Sequence, residues 1–392
     1  MVDREDNHNP KWWPFILFFV VIISGIIVLI VVKDDTNLRA PEAPENGCII
    51  MKDNGNYGGS INIIFLGTEY EDLEEFRGDS DKFMNSFLDV TPHDKYKDRF
   101  NFFRIEEFSD FGCKYDDAVV CDPKQVSEES TKCPGQDVSV VLVSRNKAEN
   151  FFKHLRSSAW MSLISLNSAD DPLVLPHEAA HIIYDFADEY VYGGKITWDA
   201  PNCDSEESCP KFSVVEGSEC IVGCVNEEYS RPAEFDIMSN YWKSDRYEVY
   251  NEWYIENLIL ETTSSNGDSF DVPIDVYIVE GDCSSSGDCT IRDVRKSPDR
   301  YPTSSKFIDS RIEVRHGDFS VKIPSSPILF KDYGPSGSVE LRPYSFSVSV
   351  PVSEENEIVL IQDNIIKAVY NLKDGSSRSS LGSKIVNIPE VS

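Results

Sequence analysis

The apolar positions of the chain change their period three times, and each change marks a different kind of element. Residues 12–32 (WWPFILFFVVIISGIIVLIVV) have no period: they are an uncharged run of 21 residues. About 20 such residues span a bilayer as a helix. Trp12 and Trp13 stand where interfacial aromatics are expected. The run is longer than the apolar core of a signal peptide and carries no small-residue cleavage site, so it reads as an uncleaved anchor. Residues 33–59, rich in Pro, Asn, Gly and charge, read as a linker. Ile61, Ile63, Ile64, Phe65 and Leu66 then predict a short buried strand ended by Gly67. Leu73, Phe76, Phe83, Met84 and Phe87 follow at helical spacing, and residues 100–105 (FNFFRI), 138–143 (VSVVLV) and 160–166 predict further strands. Strands alternating with helices suggest a three-layer α/β unit. From about Asp268 the period becomes two. Tyr344, Phe346, Val348, Val350 and Val352 alternate with Ser, Ser, Ser and Pro, as an antiparallel β-sandwich of about 120 residues does. The layout predicted is a short tail over residues 1–11, the anchor over 12–32, the linker over 33–59, an α/β domain over 60–265 and an all-β sandwich domain over 268–392.

One stretch carries chemistry. Residues 173–190 read LVLPHEAAHIIYDFADEY, and His177, Glu178 and His181 make the pattern His-Glu-x-x-His. Residues four apart lie on one helix face, about one turn from each other. Two imidazoles so placed can share one zinc ion at ~2.0–2.1 Å each. Glu178 then faces a water beside the metal as general base. The bland alternative is a buried helix with two hydrogen-bonded core histidines. A catalytic zinc needs a third protein ligand and keeps one position open. Asp185 continues the row of four, but at ~1.5 Å rise per residue it lies ~9 Å along the axis from the metal. The chain must turn after Tyr184 and return a ligand, and Asp188 and Glu189 are the carboxylates in reach.

The stretch resembles the active-site segment of the IgA-peptidase-type zinc metallopeptidases, whose motif ends Ala-Asp-Glu-Tyr; Ala187, Asp188, Glu189 and Tyr190 match it. The resemblance implies a metzincin-like zinc peptidase fold, peptide hydrolysis, and Asp188 as the third ligand. It departs where the family has Gly in the turn after the second His; here Tyr184, Asp185 and Phe186 stand, and Asp185 tolerates the left-handed conformation better than most residues. INIIFLGTEYEDLEEF at residues 61–76, DRFNFFRIEEFS at 98–109 and CPGQDVSVVLVS at 133–144 resemble the family's opening strand, helix and later strands. Thr68 and Glu69 depart from the Asp-Gly that the family carries before its Tyr. The likeness covers roughly residues 60–257. In RPAEFDIMSNYW at residues 231–242, Met238 is similar to the Met that metzincins place in a tight turn under the zinc. Tyr241 lies three residues on and is a candidate to steady a developing oxyanion. Arg231 matches the family's Arg-Pro, with a structural salt bridge expected of it.

Composition narrows the setting. There are 68 acidic against 37 basic residues, a net charge of −31, which argues against nucleic acid, whose affinity comes from neutralised phosphates. All ten cysteines follow the anchor, an even number that predicts disulfides in an oxidising compartment. A second zinc site on Cys203, Cys209, Cys220 and Cys224 is the competing reading. Two functions remain. One is a membrane-anchored, extracytoplasmic zinc endopeptidase acting on protein or peptide substrates. The other is a binding or adhesion ectodomain whose metal site is structural or inactive; the intact Glu178 argues against it.

Overall fold

The computed structural model describes residues 47–145, 155–194, 196, 198–264, 272–284, 288–304, 306, 310–323, 328–331, 338–341 and 343–379. The anchor expected at residues 12–32 lies outside them. Among the described residues no helix is long and apolar enough to cross a membrane.

The first half is built on strands β1 (Cys48–Lys52), β2 (Ile61–Thr68), β3 (Phe100–Ile105), β4 (Val138–Val143), β5 (Ser158–Trp160) and β6 (Leu163–Asn167). They lie in the order β1-β3-β2-β4-β6-β5. β3, β2, β4 and β6 are parallel, and β1 and β5 flank them antiparallel. Parallel strands covered on both faces read as continuous apolar runs, which is why INIIF and VSVVLV show no alternation. Alternate residues nevertheless face different layers. Ile63, Phe65, Phe102, Val140 and Leu142 pack with Phe76, Phe83 and Phe87 of helix α1 (Leu73–Asp89). Ile64, Leu66, Phe103, Val141 and Val143 pack on the other side with Val126 of helix α2 (Pro123–Ser130).

Three sequence readings need correction. The expected linker contributes one strand to the sheet, β1 at Cys48–Lys52, which pairs with the open edge of β3. β2 does not stop at Gly67. A Cβ there would meet Phe76 and Phe108 at 3.0 Å, so the glycine lets two aromatic rings close on the strand. The single strand expected at 160–166 is a hairpin, β5 and β6, turned at Met161 with φ 61°. In residues 344–350, Ser347 and Ser349 are buried although they alternate with apolar positions.

The reason lies in how the second half meets the first. β9 (Ile274–Cys283), β10 (Cys289–Arg300) and β15 (Tyr344–Pro351) form one antiparallel sheet. β11 (Ile312–His316), β12 (Phe319–Ile323), β16 (Glu357–Gln362), β17 (Ile365–Asn371) and β18 (Ser376–Ser379) form another. Val279, Phe346, Val348, Val314 and Leu360 fill the space between them. The outer face of β15 meets α2, where Ser127 Oγ donates to the Ser347 carbonyl at 2.8 Å. Lys124 Nζ reaches Glu280 Oε2 at 2.6 Å. The hairpin β13 (Ile328–Lys331) and β14 (Ser338–Leu341) extends the first half's own sheet, β13 pairing with β5. The hairpin covers the β5 edge, and β1 and β14 are the outer strands of the sheet. Residues 45–392 accordingly form one compact unit.

All ten cysteines pair: Cys48–Cys133, Cys113–Cys121, Cys203–Cys224, Cys209–Cys220 and Cys283–Cys289. The four cysteines weighed as a second zinc site are thus two nested disulfides. Cys48–Cys133 spans 85 residues, and in the chain-entropy picture such a loop contributes about 4.5 kcal/mol. Alkylation of native protein should therefore label almost no thiol until a reductant is added. Freely reactive thiols across the native chain would overturn the disulfide framework and the oxidising compartment together.

Candidate metal centre

Helix α3 (Val174–Ile183) follows the carboxyl end of β6. Its residues Val174, Leu175, Ala179, Ala180 and Ile183 are buried in the main core, so the histidines have no freedom to slide with respect to the sheet. Tyr247 Oη donates to the Pro176 carbonyl at 2.6 Å near the first turn. The helix ends where the sequence requires a turn: Asp185 takes φ 55°. The amides of Tyr184 and Phe186 both donate to the Ala180 carbonyl, at 3.1 and 3.2 Å.

This turn sends the chain back past the histidines. His177, His181 and Asp188 are buried, and one ligand atom from each lies within 4.8 Å of the others. Asp188 Oδ1 is 3.4 Å from His177 Nε2 and 3.5 Å from His181 Nε2. Each imidazole has its other nitrogen on a backbone carbonyl. His177 Nδ1 lies 3.0 Å from the Ile237 carbonyl and His181 Nδ1 2.8 Å from the Phe186 carbonyl. A carbonyl only accepts, so Nδ1 carries the proton and Nε2 turns its lone pair toward Asp188. This is the outer-shell arrangement that fixes the tautomer of metal-binding histidines. Burial alone would push the Asp188 carboxyl up. Protonation of His181 and His177 at Nε2 would outweigh it and hold the group below the usual carboxylate range.

Asp188 is held from three directions. The Val225 amide donates to its carbonyl at 3.1 Å, from the hairpin of β7 (Ile221–Cys224) and β8 (Asn226–Arg231). The Glu189 amide donates to the Met238 carbonyl at 3.0 Å. Asn202 clamps Ala187 with two hydrogen bonds of 2.8 Å each. The competing carboxylate, Glu189, stays outside the ligand group. Its Oε1 accepts from Asn202 Nδ2 at 2.9 Å and from Asn251 Nδ2 at 2.7 Å. Burial and the neighbouring Asp236 charge push its carboxyl well above the usual range.

The turn that holds Met238 closes the other side. Helix α4 (Ile237–Asn240) is capped by Asp236, whose carboxylate accepts from the Ser239 amide at 2.7 Å while Ser239 Oγ accepts from the Asp236 amide at 2.8 Å. Met238 is fully buried. Its turn touches both halves of the centre, through Ile237 to His177 and through Met238 to Glu189. Asn251, on helix α5 (Glu248–Ser264), donates to Asp236 Oδ2 at 2.8 Å as well as to Glu189. One buried amide thereby ties the returning loop to the Met turn. Arg231 makes no side-chain ion pair among the described residues. Its guanidinium donates to the carbonyls of Glu189, Gly223 and Ala233 at 2.7, 2.9 and 3.0 Å, stapling loop, hairpin and turn together.

Glu178 is fully buried beside His177 on α3 and is not one of the three clustered residues. Tyr241 is buried with its ring 5.3 Å from the His177 ring. A third buried histidine, His93, serves the core instead. It is 2.9 Å from the Phe87 carbonyl and 2.7 Å from Tyr184 Oη, and burial pushes its pKa down to about 4. The sequence reading missed Asn202, Asn251 and Asp236. It also missed Tyr192, whose hydroxyl is buried with no hydrogen-bond partner among the described residues and is pushed up by burial and by the Asp188 charge. A buried amide or hydroxyl carries no periodic or spacing signal of its own. No protein-family model and no curated protein matches this chain.

Proposed function

We propose that this chain is a zinc-dependent endopeptidase of the IgA-peptidase type, anchored in a membrane by residues 12–32, with the metal centre on the extracytoplasmic side. The observation that supports it most is the convergence of two imidazole Nε2 atoms and one carboxylate at 3.4 and 3.5 Å. With bonds of 2.0–2.1 Å and tetrahedral angles, neighbouring ligand atoms around zinc stand about 3.3–3.4 Å apart. The donor set fits as well. Two neutral imidazoles and one carboxylate suit a divalent ion that keeps a fourth position open, and both imidazoles are already oriented by backbone carbonyls. His177, His181 and Asp188 would hold the ion. Bound there, zinc supplies a Lewis acid that polarises the scissile carbonyl and lowers the pKa of water to about 7.

The rest is the work of the chain. Glu178 accepts a proton from the attacking water as its oxygen bonds to the carbonyl carbon. It returns that proton to the departing amine as the C–N bond breaks. Tyr241, whose ring packs beside His177, would steady negative charge on the carbonyl oxygen. Asn202, Asn251 and Arg231 keep Asp188 and the Met turn in register, and so keep the ligands at zinc spacing without the ion having to gather them.

Metal analysis of the purified full chain, paired with digestion of a generic unfolded protein, tests this reading. About one zinc per chain is expected, with proteolysis abolished by a chelator and restored by zinc. Well-folded protein without a transition metal would end the proposal. Zinc without hydrolysis would favour the binding-ectodomain alternative.

A further inference from the structure

The bridge Cys203–Cys224 stands beside two of the clamps on the returning loop. Asn202 precedes Cys203, and Val225 follows Cys224. Asn202 holds both the amide and the carbonyl of Ala187 at 2.8 Å and donates to Glu189 Oε1 at 2.9 Å. The Val225 amide donates to the Asp188 carbonyl at 3.1 Å. The bridge itself touches the same place. Cys224 Sγ lies 3.6 Å from the Asp188 carbonyl oxygen and 3.8 Å from the Asn202 carbonyl oxygen. Ala187, Cys203, Cys224 and Val225 are buried together in a small cluster of their own, apart from the main core that buries α3. Val225 takes φ 64°. A β-branched residue avoids that left-handed conformation and keeps it only where its surroundings hold it there. The Val225 carbonyl is held as well, by the amides of Tyr192 and Gly193 at 3.0 and 3.1 Å. The second bridge of the insertion, Cys209–Cys220, makes its contacts elsewhere: Cys209 packs with Phe212 and Tyr250, and Cys220 is exposed.

We infer that Cys203–Cys224 is a positioning bridge of the metal centre, which fixes Asp188 at ligand distance before any ion arrives. The inference rests on the metal reading of His177, His181 and Asp188 and adds two residues to it. The imidazoles need no such help, because α3 carries them and two backbone carbonyls orient them. Asp188 has no element of its own. It lies past the turn at Asp185, on backbone outside any helix or strand. Its place depends on what grips that backbone from outside, and two of the grips belong to segments that only the bridge joins covalently at this point. Without the bond, the Asn202 clamp and the Val225 clamp move independently, and Val225 can leave its unfavourable φ. The Glu189 amide on the Met238 carbonyl and Arg231 on the Glu189 carbonyl still hold the far side of the loop. Asp188 is then present but no longer preorganised, and an ion that must gather its ligands binds less tightly.

The test uses the full chain with both cysteines of a bridge replaced together, since a lone thiol could itself bind the ion. Cys203→Ala with Cys224→Ala removes the bond and its volume. Cys203→Val with Cys224→Ala removes the bond and refills part of the volume. Cys209→Ala with Cys220→Ala is the control. All three should fold, because neither bridge is part of the main core. Zinc affinity, read by chelator competition, should fall roughly 10–100-fold in both variants of the first bridge, the range for an outer-shell partner. It should stay unchanged in the control. In metal-free protein the Val225 amide should exchange its hydrogen faster in both variants, while the Tyr184 amide at the end of α3 keeps its rate. Asn202→Ala should lower zinc affinity by a smaller factor without the bridge than with it, since the two act on one clamp. Unchanged affinity without the bridge overturns the inference, and so do independent effects of Asn202 and the bridge. Recovery in the Val variant overturns it too, since packing and not the bond would then place Asp188. An equal fall in the control, or failure of both first-bridge variants to fold, makes the bridge a general staple and overturns it as well. If wild type binds no transition metal, the metal reading fails and takes the inference with it; zinc held equally well without the bridge refutes the bridge alone.

Discussion

With glutamine in place of Glu178, the chain is expected to keep zinc and to lose peptide hydrolysis by roughly 10²–10⁴-fold, the contribution of a positioned general base. Glutamine preserves the size of the side chain and removes only its ability to take a proton. Glu178 is fully buried on α3 and stands outside the three clustered residues, so the exchange leaves the donor set untouched. The measurement pairs metal content with kcat on one peptide, and a thermal melt confirms that the variant folds. Full activity in Glu178→Gln would remove the carboxylate from the mechanism. Loss of zinc in the same variant would instead make Glu178 a ligand and require a different centre.

Two neighbouring carboxylates should behave in opposite ways. Asp188→Asn should weaken zinc binding by more than the roughly 10–100-fold that loss of an outer-shell partner costs, because it removes the only charged donor of the group. Glu189→Gln should leave zinc in place. Glu189 is turned away from the ligand group, accepts from two asparagine amides and is pushed toward its neutral form by burial and by Asp236. A neutral amide of the same size is therefore a mild replacement. Competition with a chelator, read as residual zinc against chelator concentration, separates the two. If Glu189→Gln gives up its zinc and Asp188→Asn does not, the third ligand is the next residue along.

These two predictions probe different kinds of information. His177, Glu178 and His181 are legible in the sequence because their geometry is local. The helix supplies one turn between the histidines whatever surrounds it, and the apolar run from Leu173 to Ile183 announces the helix. The turn at Asp185 is legible for the same reason, since a helix that continued could not bring back a ligand. The strands over Ile61–Thr68, Phe100–Ile105 and Val138–Val143 are legible because burial on both faces leaves an uninterrupted apolar run.

The choice between Asp188 and Glu189 is of another kind. They are adjacent and chemically alike, and the spacing admits either; only the family resemblance favours Asp188. What separates them in space is a set of partners distant in the chain: Asn202, 13 residues from Glu189, Asn251, 62 residues from it, and the carbonyl of Met238. The same holds for the serines of β15, which look like a solvent face until α2 is packed against them, and for Cys203 and Cys209, whose partners are Cys224 and Cys220. The sequence by itself determined the helix, its two imidazoles and the neighbouring Glu178 carboxylate, because covalent spacing and helical geometry suffice to place them. Only the tertiary structure decided which carboxylate stands beside the two imidazoles, how the cysteines pair and which polar faces are buried. Those depend on which segments meet across the fold, and a side chain's hydrogen-bond partners leave no periodic trace in the chain that carries it.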